Sequence, residues 1–413
     1  MGIRSFIGTC GCIAGIWSAL SRRLVNQRID MKVLLVNHLL DTVTGGGTAE
    51  RTFQIARFLQ RQGAQCTILT LDIGNTAERQ KELADVRMVA APCINHRFFM
   101  PRLSSRELRA LVADADVVHL SGHWTVLNAR VFRACRQLGK PYLFNPAGAL
   151  RPFGRSLLIK RLYNAWVGGQ IVTSAAKCIA ITQDERADFL AFGIPDARIR
   201  VIPNGIDPEQ YDHTTRSRQT ASADIAAGLN GAPFVLFLGR LNHIKGPDLL
   251  LEAFADVASR FPDHHLVMAG PDGGLLETLR ANALAHGLQD RVHFPGFLSG
   301  AKKAEALRSA RLLAIPSRRE AMSIVVLEAG ACGCPVLFTD ACGLSDLARV
   351  GAGLMVAVST QALTDGLTQA LNSPEQQQHN AHVLAHIVAD EYLWQVQAAR
   401  YASLCSDILS ERS

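Results

Sequence analysis

The sequence predicts an α/β protein with two doubly wound parallel sheets, and three observations lead to this fold class. From Met31 onward, short apolar runs typical of buried strands alternate with segments of helical period. Near residues 203–232 the chain becomes rich in turn-forming and small polar residues, and the same alternation then starts again. The length of 413 residues and the apolar fraction of 48% suit two domains, each with its own core. We therefore expect two sheets with helices on both faces and a ligand cleft between their strand ends.

The composition excludes several classes of protein. An apolar fraction of 48% with 19% charged residues rules out wholesale disorder and a small disulfide-stapled scaffold. The formal charge of +7 suits an anionic substrate or an anionic membrane surface, and it is too small and too scattered to indicate nucleic acid. The ten cysteines include no pair with metal-ligand spacing, so we expect reduced thiols, no metal site and a cytoplasmic location.

Residues 1–30 are set apart from the expected fold. Ile3 to Leu20 are apolar and small, but the glycine, serine and threonine among them make this stretch a poor membrane span. Three interpretations stay open: a gene start placed too far upstream with Met31 as the initiator, a membrane-associating segment, or a cleaved signal.

The first domain is expected over residues 31–210. Its strand-like runs are KVLLVN (32–37), CTILTL (66–71), VVHL (117–120), YLFN (142–145) and CIAIT (178–182). After the glycines Gly45 to Gly47, the pattern predicts a helix from Thr48 to Gln62, with Thr48 as its N-cap and Gly63 just past its end.

A linker at residues 211–232 is expected to lead to a second domain at residues 233–390. Its strand-like runs are FVLFLG (234–239), HLVMAG (265–270), RVHFPG (291–296), LLAIPS (312–317) and PVLFTD (335–340). Between the last two runs, the pattern predicts a helix from about Ser323 through Glu328 to Ala331.

Arg240 and Lys245 lie in the loop GRLNHIKG, directly after a predicted strand. Loops at the carboxyl ends of parallel strands are where such folds bind their ligands. Two cations there suit a phosphate group, which an arginine can bind through two parallel hydrogen bonds. Taken alone, the same loop also fits an ordinary solvated surface.

Glu320 and Glu328 have seven residues between them, which places the first in a loop and the second within the predicted helix. Free amides at the start of that helix suit a diphosphate. These amides belong to Met322, Ser323, Ile324 and Val325. A carboxylate on such a helix can accept both hydroxyls of a ribose, and one in the preceding loop can accept hydroxyls of a sugar. Two glutamates at this spacing also fit ordinary surface charge.

Taken together, the motifs of the second half resemble one family. They are VIPNGID, GRLNHIKG, AGPDGG, HFPGFL and SRREAMSIVVLEAGACGCPVL. In order and spacing they are similar to the retaining glycosyltransferases of group 1, also called family 4. The resemblance covers about residues 31–400 and is strongest from Val201 to Asp340. It implies the GT-B fold, two Rossmann-like domains facing a cleft, with a last helix at 391–413 that crosses back to the N-terminal domain.

The resemblance also implies an activity. The donor would be a nucleotide-diphosphate sugar, UDP- or GDP-linked, and the acceptor a hydroxyl of a glycan or of a lipid-linked acceptor in polysaccharide or glycolipid biosynthesis. No cofactor and no metal are expected besides this donor. Two alternatives stay open: a sugar-nucleotide epimerase of the same architecture, and a non-catalytic relative that only binds nucleotide sugars.

The roles known in the family fall on particular residues of this sequence. Arg240 and Lys245 are implied to bind the donor diphosphate, Glu320 the donor sugar and Glu328 the ribose. The other implied residues are Phe297 and Leu298 beside the base, Gly46 and Gly47 near donor phosphate or acceptor, and His119 near the reacting centre.

The sequence departs from the family pattern in two loops. Ala321 and Met322 follow the first glutamate, where Gly and then an aromatic residue or Leu are usual. Ala147 stands where a histidine is common in the acceptor loop. Since alanine adopts a positive φ only at a cost, the detailed shape of the loop at Ala321 is not carried over.

Several other signals have plainer interpretations. His119 also fits a hydrogen-bonded core histidine. Asp114 and Asp116 form a D-x-D pattern, but they precede a predicted strand, so a helix-to-strand turn is expected there and not a metal site. His264 and His265 are expected on a loop, without a partner at metal-ligand spacing.

A cationic and partly apolar face is expected in the first domain. It combines Arg97, Arg102, Arg106, Arg109, Arg155, Lys160 and Arg161 with Leu157, Leu158, Leu162 and Trp166. We hypothesise that this face contacts anionic lipid, which would make the protein peripheral at the inner face of the plasma membrane. A solvated helix face fits the same residues.

Overall fold

The computed structural model describes residues 30–74, 80–83, 85–151, 156–211, 228–229 and 231–411. They form two compact units: one runs up to Gly205 and takes in the chain from Trp394 onward, and the other is Ile206–Leu393. The N-terminal extension up to residue 29 and most of the expected linker lie outside the described residues. No helix among the described residues is long and apolar enough to cross a bilayer.

The first unit is built on a parallel sheet of seven strands. They are β1 (Lys32–Val36), β2 (Gln65–Leu71), β3 (Arg87–Ala91), β6 (Val117–Ser121), β7 (Tyr142–Asn145), β8 (Lys177–Ala180) and β9 (Ile199–Val201), with a separate antiparallel pair β4 (Cys93–Asn95) and β5 (Met100–Pro101). The order in the sheet is β3-β2-β1-β6-β7-β8-β9, so the chain changes direction of winding between β1 and β6.

Helices cover both faces of this sheet. They are α1 (Thr42–Arg61), α2 (Ser105–Asp114), α3 (Val126–Leu138), α4 (Leu157–Tyr163), α5 (Gly169–Thr173) and α6 (Gln183–Ala191), with a π-helical turn at Asn164–Gly168 between α4 and α5. α1 begins before the expected Thr48 and is broken at Gly46, whose backbone lies at φ 56° and ψ −144°. The glycine run is therefore part of the helix entry and does not precede it.

The second unit repeats the plan with six parallel strands. They are β10 (Phe234–Leu238), β11 (His265–Ala269), β12 (Val292–Gly296), β13 (Leu312–Ile315), β14 (Val336–Thr339) and β15 (Leu354–Val356), in the order β12-β11-β10-β13-β14-β15. The helices are α7 (Pro247–Val257), α8 (Leu276–Ala285), α9 (Gly300–Ser309), α10 (Ile324–Cys332), α11 (Ser345–Arg349), α12 (Thr360–Asn372) and α13 (Pro374–Glu391).

The last helix, α14 (Trp394–Ser410), packs in the core of the first unit. Its Tyr401 is buried, and the phenol accepts a hydrogen bond of 2.9 Å from the buried guanidinium of Arg51 on α1. The same guanidinium donates to Asn204 Oδ1 and to the carbonyl of Ile202 beyond β9. Arg51 therefore joins α1, α14 and the segment after the last strand through charge-assisted hydrogen bonds of its two terminal nitrogens.

Two smaller expectations have clear outcomes. Asp114 ends α2 and Asp116 precedes β6, which confirms the helix-to-strand turn, and both aspartates accept hydrogen bonds from Lys32. The expectation for His265 is wrong: it begins β11, and its Nδ1 lies 2.8 Å from Nε2 of His293 on the neighbouring strand.

Candidate active site

The sheet of the second unit changes winding direction between β10 and β13. The loops that follow these two strands, residues 239–246 and 316–323, therefore leave neighbouring strands in opposite directions, which is the place where open α/β sheets bind ligands. The loops are tied to each other, because the amide of Arg318 donates to the carbonyl of Ile244 at 2.8 Å. The guanidinium of Arg318 also binds both carboxylate oxygens of Asp248 at the start of α7.

Lys245 and Glu320 meet at this point. Lys245 Nζ lies 2.8 Å from Glu320 Oε2, and the hydroxyl of Ser317 donates to Glu320 Oε1. Each carboxylate oxygen of Glu320 thus has its own partner. The glutamate side chain is largely buried, whereas the lysine is about one third exposed. The pair places a fixed carboxylate beside an ammonium group that still faces solvent.

Gly246 allows the two loops to approach so closely. It has a φ of 69°, and a Cβ atom at this position would lie 2.1 Å from the carbonyl oxygen of Pro316. A side chain there is excluded by both backbone conformation and contact. On the other side of the loop, a Cβ at Gly273 would lie 2.9 Å from Cγ of Arg240, so the exposed Arg240 side chain passes over a glycine.

The loop after β13 leads directly into α10. Ser323 is the N-cap residue of α10, but its side chain forms no cap hydrogen bond, and its buried Oγ has no hydrogen-bond partner among the described residues. Its own amide is already used, because it donates to the carbonyl of Cys342 at 3.0 Å. Met322 is buried, while Ile324 and Val325 are half-buried at the first turn. Of the four backbone amides that the sequence predicts to be free for a diphosphate, the amide of Ser323 is therefore not free.

Ala321 does not need a positive φ in this loop. The non-glycine residues with positive φ in the described chain are Phe99, Ala147 and Ser156. Instead, Gly343 after β14 has a φ of 67°, and a Cβ there would lie 2.3 Å from the carbonyl oxygen of Ala321. The family pattern has a glycine directly after the first glutamate. In this protein the glycine with a positive φ is Gly343, on the neighbouring loop after β14.

Glu328 lies within α10, and Glu320 lies in the loop before it, as the spacing predicts. Glu328 is 8% exposed, and its Oε1 accepts a hydrogen bond of 2.7 Å from Lys303 Nζ on α9. Its buried Oε2 has no partner within the described part of the chain. A buried carboxylate oxygen and a buried hydroxyl, Ser323 Oγ, thus both lack partners on the first two turns of one helix. Such orphaned groups are rare in folded proteins and suit polar ligand atoms.

Phe297 and Leu298 follow β12 at the same edge of the sheet. Phe297 is 66% exposed, and Leu298 is half-buried. Both precede α9, the helix that carries Lys303. The predicted donor-side residues of the second unit therefore lie in loops after β10, β12 and β13 and on the first turns of the helices that follow.

The remaining predicted residues lie in the first unit. Gly46 and Gly47 are exposed at the entry to α1, and a Cβ at Gly46 would meet no atom within 4 Å. His119 is on β6 and is 1% exposed, with its ring 5.3 Å from that of Tyr401. Burial, with a smaller effect of the Arg51 charge, lowers the pKa of His119 to about 3. This differs from the expected place at a reacting centre, because β6 is an internal strand and α14 covers it.

Two histidines that the sequence analysis did not single out lie at the switch point of the first sheet. His38 follows β1, and His123 follows β6. Burial lowers the pKa of each to about 4, and His123 Nε2 lies 2.8 Å from Asn164 Oδ1. Nearby, Ala147 has a φ of 51°, a strained conformation for alanine in the loop after β7. The position of the two histidines just after two strand-like runs is the signal that could have identified them from the sequence.

Ser317 and Lys303 were also missed in the second unit. Ser317 ends a strand-like run and had no charge to draw attention, and Lys303 is far in sequence from its partner Glu328. Within the described ranges, no group of three His, Cys, Asp or Glu side chains is arranged to hold a metal ion.

Two α/β units with parallel sheets and a charged site at a strand switch point define the GT-B class of fold. The solved structure of the Anabaena protein HepE in complex with UDP and glucose superposes with a TM-score of 0.74 at 18% identity, covering 91% of this chain and all of that one. The family model described as "Glycosyl transferases group 1" matches residues 223–382, and that described as "Glycosyl transferase 4-like domain" matches residues 46–205. The chain belongs to the group 1 glycosyltransferase family.

Curated relatives agree with this family. A D-inositol 3-phosphate glycosyltransferase of Gordonia bronchialis is 35% identical over 237 residues, covering 54% of this chain and 51% of the relative. One from Frankia alni is 28% identical over 367 residues, covering 81% of this chain and 88% of the relative. The chain spans about half the length of the first curated relatives it matches.

Proposed function

We propose that this protein transfers a sugar from a nucleotide-diphosphate sugar to a hydroxyl group of an acceptor, with retention of configuration and without a metal ion. The observation that carries the proposal is the fixed Lys245–Glu320 pair at the strand switch point of the second unit. Family membership supports glycosyl transfer, and the arrangement of charges supports a diphosphate donor. UDP and GDP are the two nucleotides proposed for it.

The chemistry requires stabilisation of a leaving group more than a strong base. The bond between the anomeric carbon and the β-phosphate oxygen breaks, and the acceptor oxygen bonds to the carbon on the same face. The acceptor proton passes to the departing diphosphate. Negative charge builds on that phosphate, and Arg240, Lys245 and the first amides of α10 are the groups proposed to stabilise it.

Glu320 is proposed to accept hydroxyls of the donor sugar. Its two oxygens are fixed by Lys245 and Ser317, so the carboxylate is oriented before any sugar binds. A group that needs no reorganisation during the reaction contributes most to the rate. Removal of one such group typically costs roughly 10²–10³ in rate.

Glu328 and the loop after β12 are proposed to bind the nucleoside. The unpartnered Oε2 of Glu328 is an acceptor for ribose hydroxyls, and the exposed ring of Phe297, with Leu298, offers an apolar surface to the base. For Gly46 and Gly47, a place near the donor phosphate or the acceptor stays a prediction that rests on the family resemblance. His119 is not given a catalytic role, since its side chain is enclosed.

The acceptor is proposed to be a glycan or lipid-linked hydroxyl presented at an anionic membrane surface. Three side chains on α4 and the turn after it, Leu158, Leu162 and Trp166, stand at intervals of four residues and therefore share one face. They are exposed, Leu158 to 73% and Trp166 to 81%, and Arg161 beside them is exposed too. We call these three residues the apolar ridge.

Charge favours an anionic surface as the partner of the apolar ridge. Between Asp116 and Asp184 the chain has no acidic residue and nine lysines or arginines. On the inner side of α4, Lys160 lies over the ring of Trp124, and Tyr163 donates to the carbonyl of Thr125, so the helix is held on the unit with its ridge outward. An exposed apolar row with a basic surround suits anionic lipid, and a peripheral position at the cytoplasmic face of the membrane is part of the proposal.

The donor proposal is tested by thermal shift with UDP, GDP and ADP, followed by their sugar conjugates. One nucleoside diphosphate is expected to raise the melting temperature in a concentration-dependent manner. Turnover of its sugar conjugate must then depend on an acceptor. Consumption of the donor without an acceptor would favour the epimerase, binding without any turnover would favour a non-catalytic relative, and binding of no nucleotide would refute the donor site.

A further inference from the structure

Lys303 is the structural partner of the proposed ribose-binding carboxylate. Its Nζ lies 2.7 Å from Glu328 Oε1. The two residues are on α9 and α10, the helices that follow the loops after β12 and β13. The pair is largely withdrawn from solvent, so the charge of Lys303 matters more than that of a surface lysine. Glu328 is left with one oxygen, Oε2, that is buried and has no partner among the described residues.

Lys303 is itself held in place by Tyr211. The ammonium group lies 5.9 Å from the centroid of the Tyr211 ring, within the range of a cation–π interaction. The carbonyl of Tyr211 accepts a hydrogen bond of 2.7 Å from Arg308, which is on the same helix as Lys303. Arg308 of α9 therefore holds the backbone of Tyr211, and the ring of Tyr211 contacts Lys303 in addition to Glu328.

We propose that Lys303 is a positioning residue that turns Glu328 so that only Oε2 is offered to the ribose hydroxyls of the donor. This inference rests on the proposed function and adds a determinant of ribose recognition to it. A carboxylate with both oxygens free can rotate and share its acceptors among ligand and water. With Oε1 bound to Lys303, the remaining oxygen is aimed before the ligand arrives, which lowers the entropy lost on binding.

The lysine has a second effect on the same site. The donor carries a diphosphate, and an unpaired carboxylate at the nucleoside end would repel it. Because Lys303 neutralises Glu328, the site can hold a carboxylate and a diphosphate on neighbouring parts of one ligand. Loss of this neutralising charge should weaken nucleotides with and without ribose hydroxyls alike. Only the part of the loss that requires the hydroxyls reports the positioning role.

The experiment compares binding of two probes by calorimetry. The first is whichever of UDP, GDP and ADP stabilises the wild-type protein, and the second is its 2′,3′-dideoxy form. The wild-type protein is expected to bind the first probe about tenfold more tightly than the second. Lys303→Met should weaken the first probe about tenfold more than the second, so that the ratio of the two affinities approaches one, and any loss common to both probes reports the charge that is no longer neutralised.

Three variants control for a merely structural role. Lys302→Met makes the same change at the exposed neighbouring position and should keep the wild-type ratio. Lys303→Arg keeps the charge and should restore most of the ratio, and Tyr211→Phe should leave it unchanged because the ring is kept.

The outcomes separate this inference from the proposed function. If Lys303→Met weakens both probes equally, or neither, the positioning role is overturned while the donor site stands. If the wild-type protein does not distinguish the probes, the positioning role is also overturned. If the wild-type protein binds none of the three nucleoside diphosphates, the proposed donor site and this inference both fail.

Discussion

Lys245 Nζ lies 2.8 Å from Glu320 Oε2, although the two residues follow different strands of the second sheet. The contact exists because β10 and β13 are neighbours at the switch point and Gly246 lets their loops approach. A lysine beside a carboxylate is neutralised until an anionic ligand arrives, and the carboxylate is held still by a second partner, Ser317. The pair therefore combines a phosphate-binding cation with a preoriented sugar acceptor in one contact.

Glu320→Gln should separate binding from turnover. The amide keeps a group that can bond Ser317 but removes the negative charge that faces Lys245. We expect a loss of roughly 10²–10³ in kcat, with the affinity for the nucleoside diphosphate kept within a few-fold. Steady-state kinetics with the identified donor and calorimetry check this. Glu305→Gln, an exposed glutamate on α9, is the matched control, and a Glu320→Gln protein with normal kcat would contradict the role.

Gly246→Ala should be much more harmful than the same change at Gly287. Both glycines have a positive φ, 69° and 66°, but a Cβ at Gly287 meets no atom within 4 Å, whereas one at Gly246 meets Pro316. Gly287→Ala therefore measures the backbone cost alone, about 1 kcal/mol. Gly246→Ala adds a backbone clash and should separate the loops as well as lower the unfolding free energy. Equal losses in urea unfolding would show that the close approach is not required.

The apolar ridge should control binding to anionic vesicles. In co-sedimentation with phosphatidylglycerol vesicles, the wild-type protein is expected to bind and to be released by salt, because basic residues supply part of the attraction. Changing Leu158, Leu162 and Trp166 to serine should reduce the bound fraction several-fold, since these side chains are exposed and contribute little to the core. Leu284→Ser, an exposed leucine of the other unit, is the control. Binding that ignores lipid charge, salt and the serine changes would refute the membrane proposal.

The buried His119 should make stability depend on pH. Its pKa is about 3 in the folded protein and near the ordinary 6.5 in the unfolded chain, so the unfolded chain binds the extra proton first as the pH falls. The unfolding free energy should therefore decrease from about pH 6.5 downward, with a slope of up to about 1.4 kcal/mol per pH unit from this histidine. His119→Phe should flatten the slope, and neither ring nitrogen has a partner to lose in the described structure. The exposed His379→Gln is the control, and an unchanged slope in His119→Phe would contradict the burial of this histidine.

The internal strands of both sheets were predictable from the sequence, whereas β12 was the one edge strand of these two sheets that was predicted. β1, β6, β10 and β13 are internal and parallel, so their sequences are continuous apolar runs that the pattern identifies. The strands missed were β3, β9 and β15, each at an edge of its sheet, and the small β4–β5 pair. β9 and β15 have only three residues each, and β3 begins with Arg87 and ends with two alanines, so the pattern marks them less clearly than it marks the internal strands.

The site residues that lie close in sequence to a clearly marked strand were predictable. Arg240, Lys245, Glu320 and Glu328 lie in or beside loops after strands that the sequence marks clearly, and the structure puts Lys245 and Glu320 in contact. Lys303 was not predictable, because its partner is 25 residues away on another helix and neither side chain shows this in its own neighbourhood. For His119, the sequence predicted a place near the reacting centre, but a distant contact that the sequence does not show encloses the side chain. Its enclosure depends on Tyr401, which belongs to a helix at the other end of the chain.

The central claim is that Lys245 binds the diphosphate of the donor. The most direct measurement is the dissociation constant of the stabilising nucleoside diphosphate for the wild-type protein, Lys245→Ala and Lys302→Ala by calorimetry. We predict that Lys302→Ala binds like the wild-type protein and that Lys245→Ala binds at least about tenfold more weakly, because a charge-assisted hydrogen bond is lost and Glu320 is left uncompensated beside the phosphates. Equal affinity in all three proteins would contradict the claim.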